Sequence, residues 1–134
     1  MRDKDVENEY VAFVLDALRP WAPVAARRMF GGYGVYRGEI MFGLVTDDTL
    51  YFKTDGDNRG DYEAAGMKPF SYARAGRKAV VMSYHTVPPD LLESADELGA
   101  WAERAFAAAL RARQAKGPSR KRPTRRPRTA GRRK

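Results

Sequence analysis

Apolar positions along the first eighteen residues follow a helical period. Val6, Tyr10, Phe13, Val14 and Ala17 fall on one face, which predicts a helix from about Val6 to Leu18. Pro20 and Pro23 stop it. From Arg27 the pattern changes to aromatic and β-branched residues interleaved with glycines, the composition of a half-buried pleated surface. Three strands are expected, at about 28–36, 39–45 and 50–53. Arg37-Gly38 forms the first turn, because glycine reaches positive φ without steric cost. Thr46-Asp47-Asp48-Thr49 carries turn chemistry between the second and third strands.

Asp55-Gly56-Asp57-Asn58 interrupts the strand pattern. A short helix from Arg59 to Ala65 is expected after it, capped by Asp57 or Asn58 and ended by Gly66. Phe70–Ala73 and Ala79–Thr86 read as an antiparallel pair around Ala75-Gly76-Arg77. Val87-Pro88-Pro89-Asp90 leaves the sheet, and Ser94-Ala95-Asp96-Glu97 is a capping box for a last helix to about Arg113. Leu98, Trp101, Ala102, Ala105 and Ala109 form its apolar stripe. The order is helix, three strands, helix, two strands, helix. Short connections imply antiparallel neighbours, so the expected architecture is α+β: a two-layer domain with a five-stranded antiparallel sheet and helices on one face. Phe42 and Trp101 are expected in one core.

Charge divides the chain in two. Residues 1–115 hold 15 basic and all 17 acidic residues, net −2, while residues 116–134 hold ten basic residues and no acid, net +10; together they give the overall +8. The expected organisation is a folded domain over 1–115 and a disordered Arg/Lys/Pro-rich tail over 116–134. The tail has no apolar residue larger than alanine apart from proline, too little to offset the entropy of ordering. Lys116, Arg120, Lys121, Arg122, Arg125, Arg126, Arg128, Arg132, Arg133 and Lys134 are candidates for non-specific phosphate contact with DNA or RNA. The chain has no cysteine, so disulfides and thiolate metal sites are excluded. No apolar run is long enough to span a bilayer and the N-terminus has no signal-peptide core, so a cytoplasmic protein without membrane contact is expected.

Three motifs invite a chemical reading. Gly32-x-Gly34-x-x-x-Gly38 superficially resembles a phosphate-binding loop, but a strand follows it where such a loop opens a helix. Asp55-x-Asp57-x-Arg59 begins like a calcium loop, yet Arg59 stands where Asp or Asn is required and Gly66 where Glu is required. His85, the only histidine, lies two residues from Ser83 on the same strand face, with no acid nearby to complete a triad. Turn, cap and strand-face roles explain these residues, and no catalytic residue, metal or cofactor is assigned. The aromatics offer more. Tyr33, Tyr36, Tyr51, Phe52, Tyr72 and Tyr84 lie on one sheet, and a sheet with helices on one side exposes its other face. Tyr33, Tyr36, Tyr51, Tyr72 and Tyr84, rimmed by Arg27 and Arg28, are the expected interaction surface, with protein contact favoured over base stacking.

Arg28-Met29-Phe30-Gly31-Gly32-Tyr33-Gly34, Met41-Phe42-Gly43, Leu50-Tyr51-Phe52-Lys53, Met67-Lys68-Pro69-Phe70-Ser71-Tyr72, Ser83-Tyr84, Val87-Pro88 and the Leu98/Trp101/Ala105 helix together resemble the TfoX N-terminal domain, found in the TfoX/Sxy regulators of bacterial competence. The resemblance spans roughly Tyr10 to Arg113. It implies a secretion-chaperone-like two-layer fold, a regulatory role without catalysis, and no family catalytic residues to carry over. Full-length regulators of this kind continue into a second helical domain, where this chain has its basic tail. The expected function is a non-enzymatic regulatory domain that contacts a protein partner, its tail adding nucleic-acid affinity. The alternative is a homodimeric, chaperone-like interaction module without nucleic acid.

Overall fold

The computed structural model describes residues 8–29, 31–74 and 76–116. The order is α1 (Glu9–Leu18), β1 (Ala25–Met29), β2 (Gly32–Arg37), β3 (Ile40–Thr46), β4 (Thr49–Lys53), α2 (Arg59–Ala64), β5 (Pro69–Arg74), β6 (Arg77–Thr86), a 3₁₀ turn (Pro89–Glu93) and α3 (Ala95–Lys116). One open sheet has the spatial order β1-β2-β3-β4-β6-β5, with every neighbour antiparallel.

The α+β class and the one-sided arrangement agree with the sequence, but the sheet has six strands where five were expected. The extra strand comes from the run read as a single strand over 28–36. Gly31 has φ +87°, and the chain doubles back there, so β1 and β2 form a hairpin with Met29 opposite Gly32. Gly32 must also be small: a Cβ on it would lie 2.5 Å from the Val45 carbonyl oxygen. The β3–β4 hairpin turns on Asp47 and Asp48, both at φ 53°, a left-handed pair that aspartate tolerates better than most residues.

The helix ends follow capping chemistry with one exception. Asn8 Oδ1 accepts from the Tyr10 and Val11 amides at 2.7 and 3.2 Å and starts α1. Ser94 Oγ accepts from the Glu97 amide at 3.4 Å, as the capping box requires, and α3 continues to Lys116, three residues past the expected end. At α2 the expected side-chain cap is absent. Asn58 occupies the N-cap position but spends its amide on the preceding loop, accepting from the Asp55 amide at 2.8 Å and donating to the Lys53 carbonyl at 3.1 Å. It ties the end of β4 to the start of α2.

The core lies between the helices and one sheet face. Val11, Val14, Leu15 and Leu18 of α1 and Leu98, Ala102, Ala105 and Ala109 of α3 pack with Val35, Phe42, Val45, Leu50 and Phe52. Each large apolar side chain buried in this way stabilises the fold by about 1.5–3 kcal/mol. Phe42 is the extra residue of a β-bulge: Val35 pairs with Gly43 and Tyr36 with Met41, leaving Phe42 between them. Its ring meets Trp21, Phe52 and Phe106, with centroids 5.3, 5.8 and 6.2 Å away. Trp101 borders the same core, partly buried and edge-on to Tyr62 at 4.7 Å, and so shares the core with Phe42 without being among its ring partners. Among the described residues no helix is long and apolar enough to cross a membrane.

Candidate interaction surface

Strand alternation sorts the sheet into two faces. Ala26, Val35, Val45, Leu50, Phe52 and His85 turn toward the helices. Their neighbours along each strand turn away from them: Arg27 and Met29 on β1, Gly34 and Tyr36 on β2, Met41 and Leu44 on β3, Tyr51 and Lys53 on β4, Tyr84 on β6. No described helix covers this second face.

Cations and rings are paired across it. The Arg27 guanidinium sits 4.3 Å from the Tyr36 ring centre, and Lys53 Nζ lies 5.1 Å from that of Tyr84. Tyr51 and Phe70 meet edge-on at 4.9 Å. Gly34 provides a floor without a side chain. A Cβ there would come within 3.0 Å of Met29 Sδ, Met41 Sδ and the Tyr36 ring, so these three lean over the glycine. Burial, with the Tyr36 phenol close by, pushes the Tyr84 hydroxyl up to about 12. Tyr51 is also raised, by burial and then by Asp47 in the adjoining turn. Both phenols are therefore neutral donors at physiological pH.

The pleat divides the residues expected from sequence to form one surface. Arg27, Tyr36, Tyr51 and Tyr84 come together on the uncovered face. Arg28 and Tyr33 pair with each other on the helix side, the guanidinium 5.8 Å from the ring and Tyr33 packed against the core. Tyr72 is in β5 opposite Ala79. Phe52 is core. Of the tail residues, Lys116 ends α3, and Arg120, Lys121, Arg122, Arg125, Arg126, Arg128, Arg132, Arg133 and Lys134 lie outside the described residues. Met29, Met41, Leu44, Lys53 and Phe70 complete the face but escaped sequence reasoning. The alternation through Gly34 was their signal, and the bulge at Phe42 obscured it.

His85 is an interior residue. It is 1 % exposed, pairs across strands with Phe52, and has its ring centre 5.8 Å from that of Tyr62. Nδ1 is 2.9 Å from Thr54 Oγ1, which is 3.2 Å from the Met82 carbonyl oxygen. Both contacts are satisfied when Nδ1–H donates to the hydroxyl and the hydroxyl donates to the carbonyl. Burial, and then the nearby Arg59, lower the ring's pKa, so it stays neutral. Its hydrogen-bond partner is Thr54 and not Ser83.

The Asp55 loop is held by a cation of the chain itself, Arg111. Arg111 of α3 bonds Asp55 in a fork, Nε to Oδ2 at 2.8 Å and Nη2 to Oδ1 at 3.0 Å, and reaches Asp57 at 3.4 Å. Asp55 Oδ1 also accepts from the Asp57 amide at 3.0 Å. The turn reading accounts for these carboxylates. Gly32 and Gly34 lie within β2 and open no helix.

A sequence profile of the TfoX N-terminal domain matches residues 16–109, which contains the whole sheet, the last turn of α1 and most of α3. The chain belongs to the TfoX N-terminal domain family. It is also similar to the DNA transformation protein TfoX1 of Aliivibrio fischeri (strain ATCC 700601 / ES114), 36 % identical over 55 residues. That match takes in 41 % of this chain and only 26 % of the relative. The family region 16–109 thus includes the uncovered face, whereas most of the relative's length has no counterpart in the match.

Proposed function

We propose that this TfoX N-terminal domain protein is a non-enzymatic cytoplasmic regulator connected with DNA transformation, acting by binding, with residues 116–134 supplying non-specific nucleic-acid affinity. The observation that supports it is the sheet itself: helices cover one face, and the other carries Tyr36, Tyr51, Tyr84, Met29 and Met41 with Arg27 and Lys53 laid on the rings. The family and the name of the TfoX1 relative point to regulation of competence. The ten cations of residues 116–134 would meet the phosphates. Full engagement would give a slope of log affinity against log salt near −9, and partial engagement roughly −4 to −7.

Fluorescence anisotropy on two unrelated DNA duplexes across a salt series tests this. Binding should be equal for both sequences, show that slope, and disappear on truncation after Ala115. Duplex binding that survives truncation contradicts the role of the tail.

A second reading, a homodimeric module, is favoured by Val80 and Met82, 52 % and 49 % exposed on β6. Pairing through the uncovered sheet face would press Arg27 and Lys53 into an interface whose strands hold no carboxylate to answer them. A monomer in sedimentation at high micromolar concentration would exclude this reading.

A further inference from the structure

The six strands contain seven basic residues, Arg27, Arg28, Arg37, Lys53, Arg74, Arg77 and Lys78, and no aspartate or glutamate. All 17 acidic residues of a region with net charge −2 lie outside the strands. The acids nearest the uncovered face are in its bordering turns, Asp47 among them. The average charge therefore conceals cationic strands: Arg28 and Arg37 turn to the helix side, and Arg27 and Lys53 lie on the uncovered face.

The cations on the uncovered face are arranged in a way that matters. Arg27 and Lys53 stand over phenol rings, and Tyr36, Tyr51, Phe70 and Tyr84 present π-faces and edges beside them. Leu44, paired with Gly34 and Tyr51, gives an apolar floor. An acidic peptide would match the charge but leave the rings unused. A duplex would match the charge but hide its bases. A single strand offers phosphates to the cations and unstacked bases to the tyrosines and the Arg27 guanidinium plane. Charge complementarity and ring geometry thus favour the same occupant.

We propose that the uncovered sheet face binds single-stranded nucleic acid, Arg27 and Lys53 swinging off the Tyr36 and Tyr84 rings onto backbone phosphates and bases stacking on the rings in their place. This rests on the reading that the chain acts by binding through that face, and it identifies the class of ligand. The stacking carries no base code, so preference should be for strandedness and not for sequence. The tail adds affinity for any polyanion; the sheet adds discrimination against duplex.

The test uses the full-length chain and a labelled oligo(dT) of about twelve nucleotides, within the footprint of comparable stacking platforms. A full-length variant with Lys→Gln and Arg→Gln at the ten basic positions of residues 116–134 isolates the sheet. It should retain single-strand binding and lose duplex binding. In that background Tyr36→Leu should weaken oligo(dT) binding at least about fivefold. Arg27→Gln, exposed and outside the core, should weaken it and make the salt slope about one unit shallower. Phe13→Leu, on α1 and away from the sheet, should change nothing. Loss of all binding in the tail variant overturns the inference while leaving the tail reading intact. Equal affinity for single strand and duplex overturns it too, as does displacement by polyglutamate with no effect of Tyr36→Leu. Failure of the unmodified chain to bind either form removes the nucleic-acid reading together with this one.

Discussion

Arg111 on α3 and Asp55 in the β4–α2 loop are joined by two hydrogen bonds, 2.8 and 3.0 Å, across 56 residues of sequence. The fork holds the C-terminal half of α3 to the loop that follows the central strands. Hydrogen bonding to Arg111 keeps the Asp55 carboxyl below the usual range. A carboxyl lowered in the fold stabilises it above the unfolded value near 4, and that contribution is lost as pH falls through the folded value. Asp55→Asn should cost about 1 kcal/mol at pH 7, since both partners are partly exposed. Urea denaturation at pH 7 and pH 3 checks this: the gap between variant and parent should narrow at the lower pH.

His85 gives a second, higher window. The buried ring is held neutral, so the unfolded chain takes up its proton first as pH drops below about 6.5, and stability should fall from there. His85→Phe should flatten the stability curve below about pH 6.5. Thr54→Val leaves Nδ1–H without its acceptor and should cost about 1–3 kcal/mol at neutral pH. Thermal melts across the pH range would show both effects.

Phe42→Ala removes a fully buried ring in contact with three others and should cost about 3–5 kcal/mol. Trp101→Ala should cost less, about 2 kcal/mol, because the indole is only partly buried and its described ring contact is Tyr62. Equal losses in chemical denaturation would contradict this ordering.

Two glycines two residues apart should behave differently. A methyl at Gly32 meets a backbone carbonyl, which cannot move without disturbing the β2–β3 ladder, so Gly32→Ala should cost at least about 2 kcal/mol. A methyl at Gly34 meets the ends of two methionines and a tyrosine, which can rotate away, so Gly34→Ala should cost under about 1 kcal/mol. Gly34→Ala should still disturb nucleic-acid binding, because it lifts Tyr36 off its seat.

The helices and most strands could be read from the chain because their burial is local and periodic. The stripe Leu98, Ala102, Ala105 and Ala109 and the alternation at Leu50 and Phe52 are carried by neighbouring residues. The missing strand was hidden because Gly31-Gly32 resembles strand glycine until one knows that Val45 lies against it. The interaction face was readable only in part for the same reason. The residue types were evident, but which tyrosines share a face depends on the bulge at Phe42, and a one-residue offset moves a side chain to the other side. The role of Asn58 depends on the path of the turn before α2, which brings its amide onto the Asp55 amide and the Lys53 carbonyl, a local choice that residue type alone does not separate from ordinary capping. The cationic sheet was masked by averaging strand and helix charge over one domain.

The most direct test of the account is a nuclear magnetic resonance titration of the full-length protein with oligo(dT), following backbone amides. The account predicts shifts concentrated at Arg27, Tyr36, Leu44, Tyr51, Lys53 and Tyr84, with smaller changes at Val11, Leu15 and Leu98 beneath the opposite face. Shifts confined to residues 116–134, or spread evenly over helices and sheet, would contradict it.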